Sequence, residues 1–321
     1  MTETALYRGL RVALIVPCYN EAVAIGQVID DFRAAMPELG LYVFDNASTD
    51  DTASVARHHG AQVVHVAQKG KGNVVRRMFA DVEADVYVMV DGDATYSAPC
   101  VRSLIDTLLD QRLDMVVGAR QTPTDIAGQA YRKGHQWGNR MLTGSVAHIF
   151  GGSFRDMLSG YRIFSRRYAK SFPALSQGFE IETELTVHAL ELRMAVGEVD
   201  TPYGARPEGS VSKLSTYRDG WRILKTIMRL YVLERPLAFY SIVGGVLAVL
   251  SVLLSVPLLL EYLHSGLVPR LPTAVLSTAL MLTAFLSFLC GLTLDTVTRG
   301  RHEAKRLAYL AIPHCSTIKR D

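Results

Sequence analysis

Apolar residues in the first 120 positions follow two alternating periods. Short runs rich in β-branched and aromatic residues at 12–16, 41–44, 62–66, 86–90 and 115–117 read as buried strands. Between them apolar residues recur at helical spacing: Ile25, Val28, Ile29, Phe32 and Met36; Val75, Met78, Phe79 and Val82; Val101, Leu104, Ile105 and Leu108. Thr49 and Asp50 stand where caps of the second helix belong. This alternation predicts an α/β domain built on a twisted, mostly parallel sheet with helices on both faces. From 119 to about 161 the pattern loosens into Gly, Arg and aromatics, as expected of a mobile substrate-binding region. Helical spacing returns at 180–192, and a loop follows at 202–213.

The C-terminal third changes character. Neither 236–260 nor 271–294 contains a charged residue, and each is long enough to cross a hydrocarbon core of ~30 Å as a helix. Arg222, Lys225, Arg229 and Arg235 precede the first stretch, and Arg299, Arg301, Lys305 and Arg306 follow the second. The connecting loop holds one arginine, Arg270. Basic residues favour the cytoplasmic side, so the expectation is a membrane hairpin with the N-terminal domain and the tail both cytoplasmic. Residues 1–10 lack an apolar run of signal-peptide length, in keeping with that orientation.

Just before the hairpin, a wheel drawn at about 100° per residue places Arg218, Arg222, Lys225 and Arg229 in one stripe. Trp221, Ile223, Leu224, Ile227, Met228, Leu230 and Tyr231 fall opposite. That composition predicts a helix lying in the headgroup plane. The expected layout is a catalytic domain at 1–213, an interfacial helix at 214–235, a two-helix hairpin at 236–298 and a basic tail at 299–321. Four scattered cysteines without a Cys-x-x-Cys pair argue against a disulfide frame or a zinc site. A net charge of +3 gives no case for nucleic acid.

The candidate chemistry sits at strand ends. The strand at 86–90 runs into Asp91-Gly-Asp93, and ligands of open α/β sheets gather beyond the carboxyl ends of the strands. Two acids there suit a hard divalent cation, and the glycine between them lets backbone and ligand approach. Pro17-Cys-Tyr19-Asn20-Glu21 follows the first strand, Asp45-Asn-Ala-Ser-Thr-Asp50 the second, and Lys69-Gly-Lys71-Gly72-Asn73 the third. Glu21 and Asp45 can accept from a base or a ribose, and Lys71 stands where a helix N-terminus favours phosphate. His135, His148 and His188 have no metal-like spacing.

Together these segments, with Ser159-Gly-Tyr-Arg162, resemble glycosyltransferase family 2, the inverting enzymes of GT-A fold. The two apolar stretches, Glu180-Ile-Glu182 and the loop around Arg206 resemble its polyprenyl-phosphate glycosyltransferases, similar to dolichyl-phosphate mannose synthase. The resemblance implies transfer of a sugar from a nucleotide diphosphate to a polyprenyl phosphate, in cell-envelope glycan synthesis. It implies Mg²⁺ or Mn²⁺ on Asp93 and Asp91, and an acceptor phosphate positioned by Arg120, Arg132 and Lys133. It implies donor contacts from Pro17, Tyr19, Asn20, Glu21, Asp45, Lys71, Gly72, Arg206 and Lys213. Glu182 and Ser159 are left without a settled role, Glu182 between orienting a hydroxyl or an arginine and forming a structural ion pair. By analogy with bacterial-looking relatives the donor is a UDP-hexose or UDP-N-acetylhexosamine. GDP-mannose, a sugar-hydroxyl acceptor with Glu180 or Glu182 as base, and an inactive nucleotide-sugar sensor stay open as alternatives. Expected partners are the nucleotide sugar, the lipid phosphate, the membrane and, through the hairpin, a second copy of the chain. Two departures stand out: Asn46 follows Asp45 where many relatives have a second acid, and Gly92 replaces a common alanine, a change expected to be harmless.

Overall fold

The longest of the N-terminal apolar runs, Val12–Cys18, forms β1 near the centre of the sheet. In the computed structural model, residues 6–121, 143, 144, 146, 149–151, 154–178, 180–207, 209 and 216–314 are described, without the side chains of 216–220 and 222. α1 (Ile25–Ala35), β2 (Gly40–Asp45), α2 (Thr52–His58), β3 (Gln62–His65), α3 (Lys71–Asp81), β4 (Val86–Met89), α4 (Val101–Asp110) and β5 (Met115–Gln121) follow in the expected alternation. Next come β6 (Arg162–Ser165), α5 (Arg166–Ser171), α6 (Ile181–Glu191), β7 (Val196–Pro202), α7 (Thr216–Glu234), α8 (Pro236–Ser265) and α9 (Leu271–Leu310).

The strands form a seven-stranded sheet in the order β3-β2-β1-β4-β6-β5-β7. β6 runs antiparallel to both β4 and β5, and the other pairings are parallel. Side chains alternate across it, as the pleat requires. Val12, Leu14 and Val16 face a core with Val28, Phe32, Val88, Leu104 and Leu108. Ala13 and Ile15 face a second core with Phe44, Met78, Phe79, Tyr87, Phe164 and Leu185. Burial of such side chains on both faces, each worth ~1.5–3 kcal/mol, makes the central strands near-continuously apolar. The register aligns Cys18 with Asp45 and Asp45 with His65, so the loops after β1, β2 and β3 leave from one edge.

One sequence expectation changes here, and one helix runs beyond its apolar stretch. Asp50, not Thr49, serves the start of α2, accepting from the Thr52 N–H at 3.1 Å; the Thr49 N–H instead donates to Asn20 Oδ1 at 2.7 Å. The second apolar stretch ends at Leu294, and its helix runs on, α9 continuing to Leu310.

The contacts divide the chain into two compact units, Met1–Thr226 with Lys305–Asp321, and Ile227–Ala304. Within the first, residues 305–314 pack against the sheet domain. Lys305 Nζ lies 2.8 Å from Glu191 Oε2, and the Tyr309 hydroxyl donates to the fully buried Asp114 at 2.9 Å. Arg167 lies over the Tyr309 ring, and His314 Nε2 meets Leu113 O at 3.0 Å. The second unit holds most of α8 and α9, both long and apolar enough to cross a membrane. Small residues line their seam at intervals of seven: Gly244 and Ser251 on α8, Ser277, Ala284, Gly291 and Thr298 on α9. The Ser251 hydroxyl donates across it to Ser277 O at 2.7 Å.

The apolar side of α7 splits in two. Ile223, Ile227 and Leu230 are buried, whereas Trp221 and Met228 are exposed beside exposed Lys225 and Arg229. The side chains of Arg218 and Arg222 lie outside the described residues.

Candidate active site

Three loops at one sheet edge each contain a non-glycine residue in the left-handed region, Asn20 (φ 54°), Ala47 (φ 55°) and Ala94 (φ 56°). Each such residue costs of order 1 kcal/mol, and such strain gathers where surrounding contacts enforce a working geometry. The enforcing contacts are visible. The Asn20 N–H donates to Ser48 Oγ (2.9 Å), tying the β1 loop to the β2 loop, and the Glu21 N–H donates to Thr52 Oγ1 (2.8 Å). Asn46 binds the β3 loop, donating from Nδ2 to Val66 O and Gln68 O and accepting at Oδ1 from the Gly70 N–H at 2.7 Å. An aspartate could only accept, so the departure from two acids has a structural reason here.

Asp91 and Asp93 emerge side by side after β4. Asp93 is buried; its Oδ1 accepts from Thr95 Oγ1 at 2.6 Å and the Thr95 N–H at 3.3 Å. Its Oδ2 lies 2.6 Å from Arg206 Nη2, and Arg206 Nη1 lies 3.7 Å from Glu21 Oε1. Burial, and then the neighbouring Asp91, push the Asp93 carboxyl above the ordinary range. Asp91 Oδ1 lies 2.5 Å from Lys71 Nζ, which also lies 2.6 Å from Glu182 Oε1. Burial opposes the lysine charge, but the two carboxylates outweigh it and hold the ammonium well above its usual pKa. Glu182 is therefore half of a buried ion pair, and its Oε2 has no hydrogen-bond partner among the described residues. Each acid of the Asp-x-Asp pair thus already carries a side-chain cation. Adjacent hard carboxylate oxygens that recruit positive charge fit a divalent ion such as Mg²⁺ or Mn²⁺.

Glycines let these groups meet. Gly160 packs so closely on Asp91 that a Cβ would overlap its carboxylate, and Gly72 likewise faces the Ser176 carbonyl. The Gly72 N–H donates to Gln177 O at 3.0 Å, which gives this glycine a packing role. Gly92 corrects the expectation of a harmless exchange: an added Cβ would lie 2.6 Å from Cys18 Sγ.

The other predicted residues divide. Tyr19 is partly exposed beneath Lys69 Nζ, 5.5 Å from the ring centroid, and Pro17 is part of β1. Asp45 is buried, with Oδ2 3.1 Å from His65 Nδ1 and Oδ1 accepting from the Ser48 N–H. Arg120 is clamped by Asp156, Nε to Oδ2 at 2.6 Å and Nη2 to Oδ1 at 2.8 Å, and lies over the Tyr203 ring. Ser159 is fully buried and donates to Gly118 O at 2.6 Å, a structural task. The fully buried Arg162 serves the same loop, donating to the carbonyls of Ser159 and Met157, its charge disfavoured by burial. Arg132, Lys133 and Lys213 lie outside the described residues, as do His135 and His148. Sequence reasoning did not single out Thr95, Tyr96, Asp156 and Tyr203. The Tyr96 hydroxyl accepts from the Gly160 N–H at 2.8 Å, and burial holds its pKa well above that of a free phenol. The one available signal was nearness to Asp93 and to Ser159-Gly-Tyr-Arg162.

Comparison with known proteins places this geometry in context. Residues 13–172 match the model for glycosyl transferase family 2. Glycosyltransferase AglJ of Haloferax volcanii is 36% identical over 234 residues, which is 73% of this chain and 76% of that one. A dolichyl-phosphate hexose transferase of the same organism is 25% identical over 223 residues, 70% of this chain and 95% of its own. Glucosyl-3-phosphoglycerate synthase from Mycobacterium tuberculosis, solved with Mn²⁺, UDP-glucose and phosphoglyceric acid, shares the fold. Its TM-score is 0.56 at 23% identity, over 70% of this chain and 80% of that one.

Proposed function

The chain belongs to glycosyltransferase family 2, and from that premise we propose that its acceptor is a polyprenyl phosphate, glycosylated at the cytoplasmic membrane face with inversion. The observation that carries this reading is the state of the carboxylates on and before α6. Glu182 is paired with Lys71, the Glu180 carboxylate accepts from the Gly178 N–H at 3.1 Å, and Glu184 accepts from the N–H groups of Leu175 and Ser176 at 2.7 and 2.6 Å. A sugar-hydroxyl acceptor needs a base to take its proton. The two acids considered for that task already hold other partners. A phosphate monoester, with a second pKa of about 6, is an anion at neutral pH and needs no base. It needs cations to position it, a task assigned to Arg120, whose guanidinium Asp156 and Tyr203 orient, together with Arg132 and Lys133. The apolar helices α8 and α9 and the dolichyl-phosphate relative support a lipid acceptor.

The donor is a UDP-hexose or UDP-N-acetylhexosamine, in keeping with the UDP-glucose bound by the mycobacterial synthase. Asp93, with Asp91, would hold Mg²⁺ or Mn²⁺, which when bound supplies charge stabilisation for the leaving diphosphate. Lys71 and Glu182 fix Asp91, Thr95 orients Asp93, and Tyr19, Asn20, Glu21 and Asp45 line the nucleotide end. Arg206 and Lys213 would close over the diphosphate.

The test is transfer of labelled sugar from a panel of UDP and GDP donors to polyprenyl phosphate with Mg²⁺ or Mn²⁺. Lipid-extractable label that disappears with EDTA and in Asp93→Asn is the expected result. Absence of transfer to lipid phosphate across the panel would overturn the acceptor, and exclusive use of GDP-mannose would overturn the donor.

A further inference from the structure

Arg206 lies on the segment after β7, whose backbone is pinned to the site. The Tyr203 N–H donates to Gln121 O at 3.0 Å, the Gly204 N–H donates to Thr95 O at 2.8 Å, and Tyr203 bridges to Tyr96. Held there, the guanidinium enters the carboxylate cluster with its two ends in different states. Nη2 makes a charge-assisted hydrogen bond of 2.6 Å to Asp93 Oδ2. Nη1 is buried and has no hydrogen-bond acceptor among the described residues, Glu21 Oε1 being 3.7 Å away. An unmet buried donor is a standing cost, so this position of Arg206 satisfies Asp93 better than it satisfies Arg206 itself.

We propose that Arg206 is a resident counter-ion of the metal position, which it yields to a divalent cation only when a nucleotide diphosphate arrives with it. This rests on the nucleotide-diphosphate donor read above. Thr95 already occupies Asp93 Oδ1, so a cation approaching Asp93 competes with Nη2 for Oδ2. A cation arriving alone displaces the guanidinium and leaves it without its carboxylate. A cation arriving with a diphosphate brings phosphate oxygens that match the guanidinium fork, and Nη1 gains the acceptor it lacks. Arg206 therefore couples the two ligands: each strengthens the other, and by linkage the factor is the same in both directions. Arg206 is a positioning residue in this role, since it decides when the cation settles on Asp93.

The experiment measures Mn²⁺ binding by the fall of the free-ion electron paramagnetic resonance signal. Full-length chain in detergent is titrated as wild type, Arg206→Gln and Arg206→Lys, each alone and with UDP or GDP, after thermal unfolding confirms that each variant is folded. Wild type is expected to bind Mn²⁺ weakly alone and about tenfold or more tighter with nucleotide, within the usual range of coupling between sites. Arg206→Gln should bind free Mn²⁺ about tenfold tighter than wild type and lose most of the nucleotide effect. Arg206→Lys keeps a cation for Asp93 but not the fork, so it should stay as weak as wild type for free Mn²⁺ and lose part of the nucleotide effect. The proposal is overturned if Arg206→Gln binds free Mn²⁺ no tighter than wild type, or if folded Arg206→Lys behaves as Arg206→Gln in the free-ion titration. If neither nucleotide tightens Mn²⁺ on wild type while Arg206→Gln still gains free-ion affinity, the counter-ion role stands and the donor reading falls.

Discussion

Gly92 and Cys18 compete for one space, and the positions of Asp91 and Asp93 hang on the outcome. Cys18 is buried at the end of β1, and a Cβ on residue 92 would lie 2.6 Å from its sulfur. Val16 and Ile25 stand at ordinary contact, 3.5 and 3.6 Å from that Cβ, so the sulfur is the group that must shift. Gly92→Ala should therefore cost ~1–3 kcal/mol as overpacking and displace the Asp91–Asp93 turn, lowering transfer activity. Cys18→Ala removes the obstructing sulfur, so the double variant should recover much of both losses. Thermal unfolding and transfer rates of the two single variants and the double variant check this, and strictly additive losses would refute it. This pairing was illegible in the sequence because the residues are far apart in the chain and the conflict is purely steric. The acids themselves were legible, because a buried strand that ends in Asp-Gly-Asp announces its own position. Their occupancy by Lys71 and Arg206 was not, since ion-pair partners from α3 and from the segment after β7 meet only once the sheet has formed.

Among the elements, those with a clean period were legible and those defined by a neighbour were not. β1 to β5 and their helices follow apolar spacing closely. β6 was missed because Arg-Ile-Phe-Ser begins with a charged residue and lasts four positions, and its place between β4 and β5 is non-local pairing information. β7 contains Gly197 and ends at Pro202, with acids on alternate positions, so it reads as loop until β5 supplies its ladder. In the hairpin, hydropathy announces the two long apolar helices, and the small residues set every seven positions along α9 explain how closely they pack. Gly291 is one of two tight points: an added Cβ would lie 2.9 Å from Tyr240 Cβ, as one on Gly244 would lie 2.9 Å from Ala284 O. Helix association in a membrane relies on such close packing and on bonds like that from Ser251 to Ser277. Gly291→Leu should weaken the hairpin by ~1–2 kcal/mol or more. Oxidative cross-linking of Ser251→Cys with Ser277→Cys, in a chain whose native cysteines are replaced, should then fall sharply, with Gly291→Ala intermediate. Equal cross-linking in all three backgrounds would mean that the seam does not hold the helices together.

At the scale of the whole molecule, the basic residues that were read as markers of membrane orientation also have individual contacts. Lys305 pairs with Glu191 inside the sheet unit, and Arg301 donates to Leu233 O and Glu234 inside the hairpin unit. Those partners come from distant parts of the chain, so a reading of charge counts sees the bias and not the bonds. On α7, Lys225 and Arg229 face outward. Exposed Trp221 and Met228 form one stripe flanked by exposed Lys225 and Arg229, the composition of a helix face resting on an anionic interface. The phosphate of a polyprenyl lipid lies in the headgroup plane, so for the acceptor proposed above local engagement of α7 with that plane should govern access. Lys225→Glu with Arg229→Glu replaces attraction by repulsion, a change of ~1 kcal/mol or more at each position near an anionic surface. With α8 and α9 long and apolar enough to hold the chain in a bilayer, the apparent KM for polyprenyl phosphate in anionic liposomes should rise several-fold while the KM for nucleotide sugar holds. Raising the salt should reproduce part of the effect in the parent chain, because exposed charges are screened beyond ~10 Å at 0.1 M. Trp221→Ser should add to the reversal in anionic liposomes and act alone in neutral ones, where the charges have nothing to attract. Acceptor kinetics unchanged by the double reversal would reduce α7 to a strut between the sheet domain and the spans.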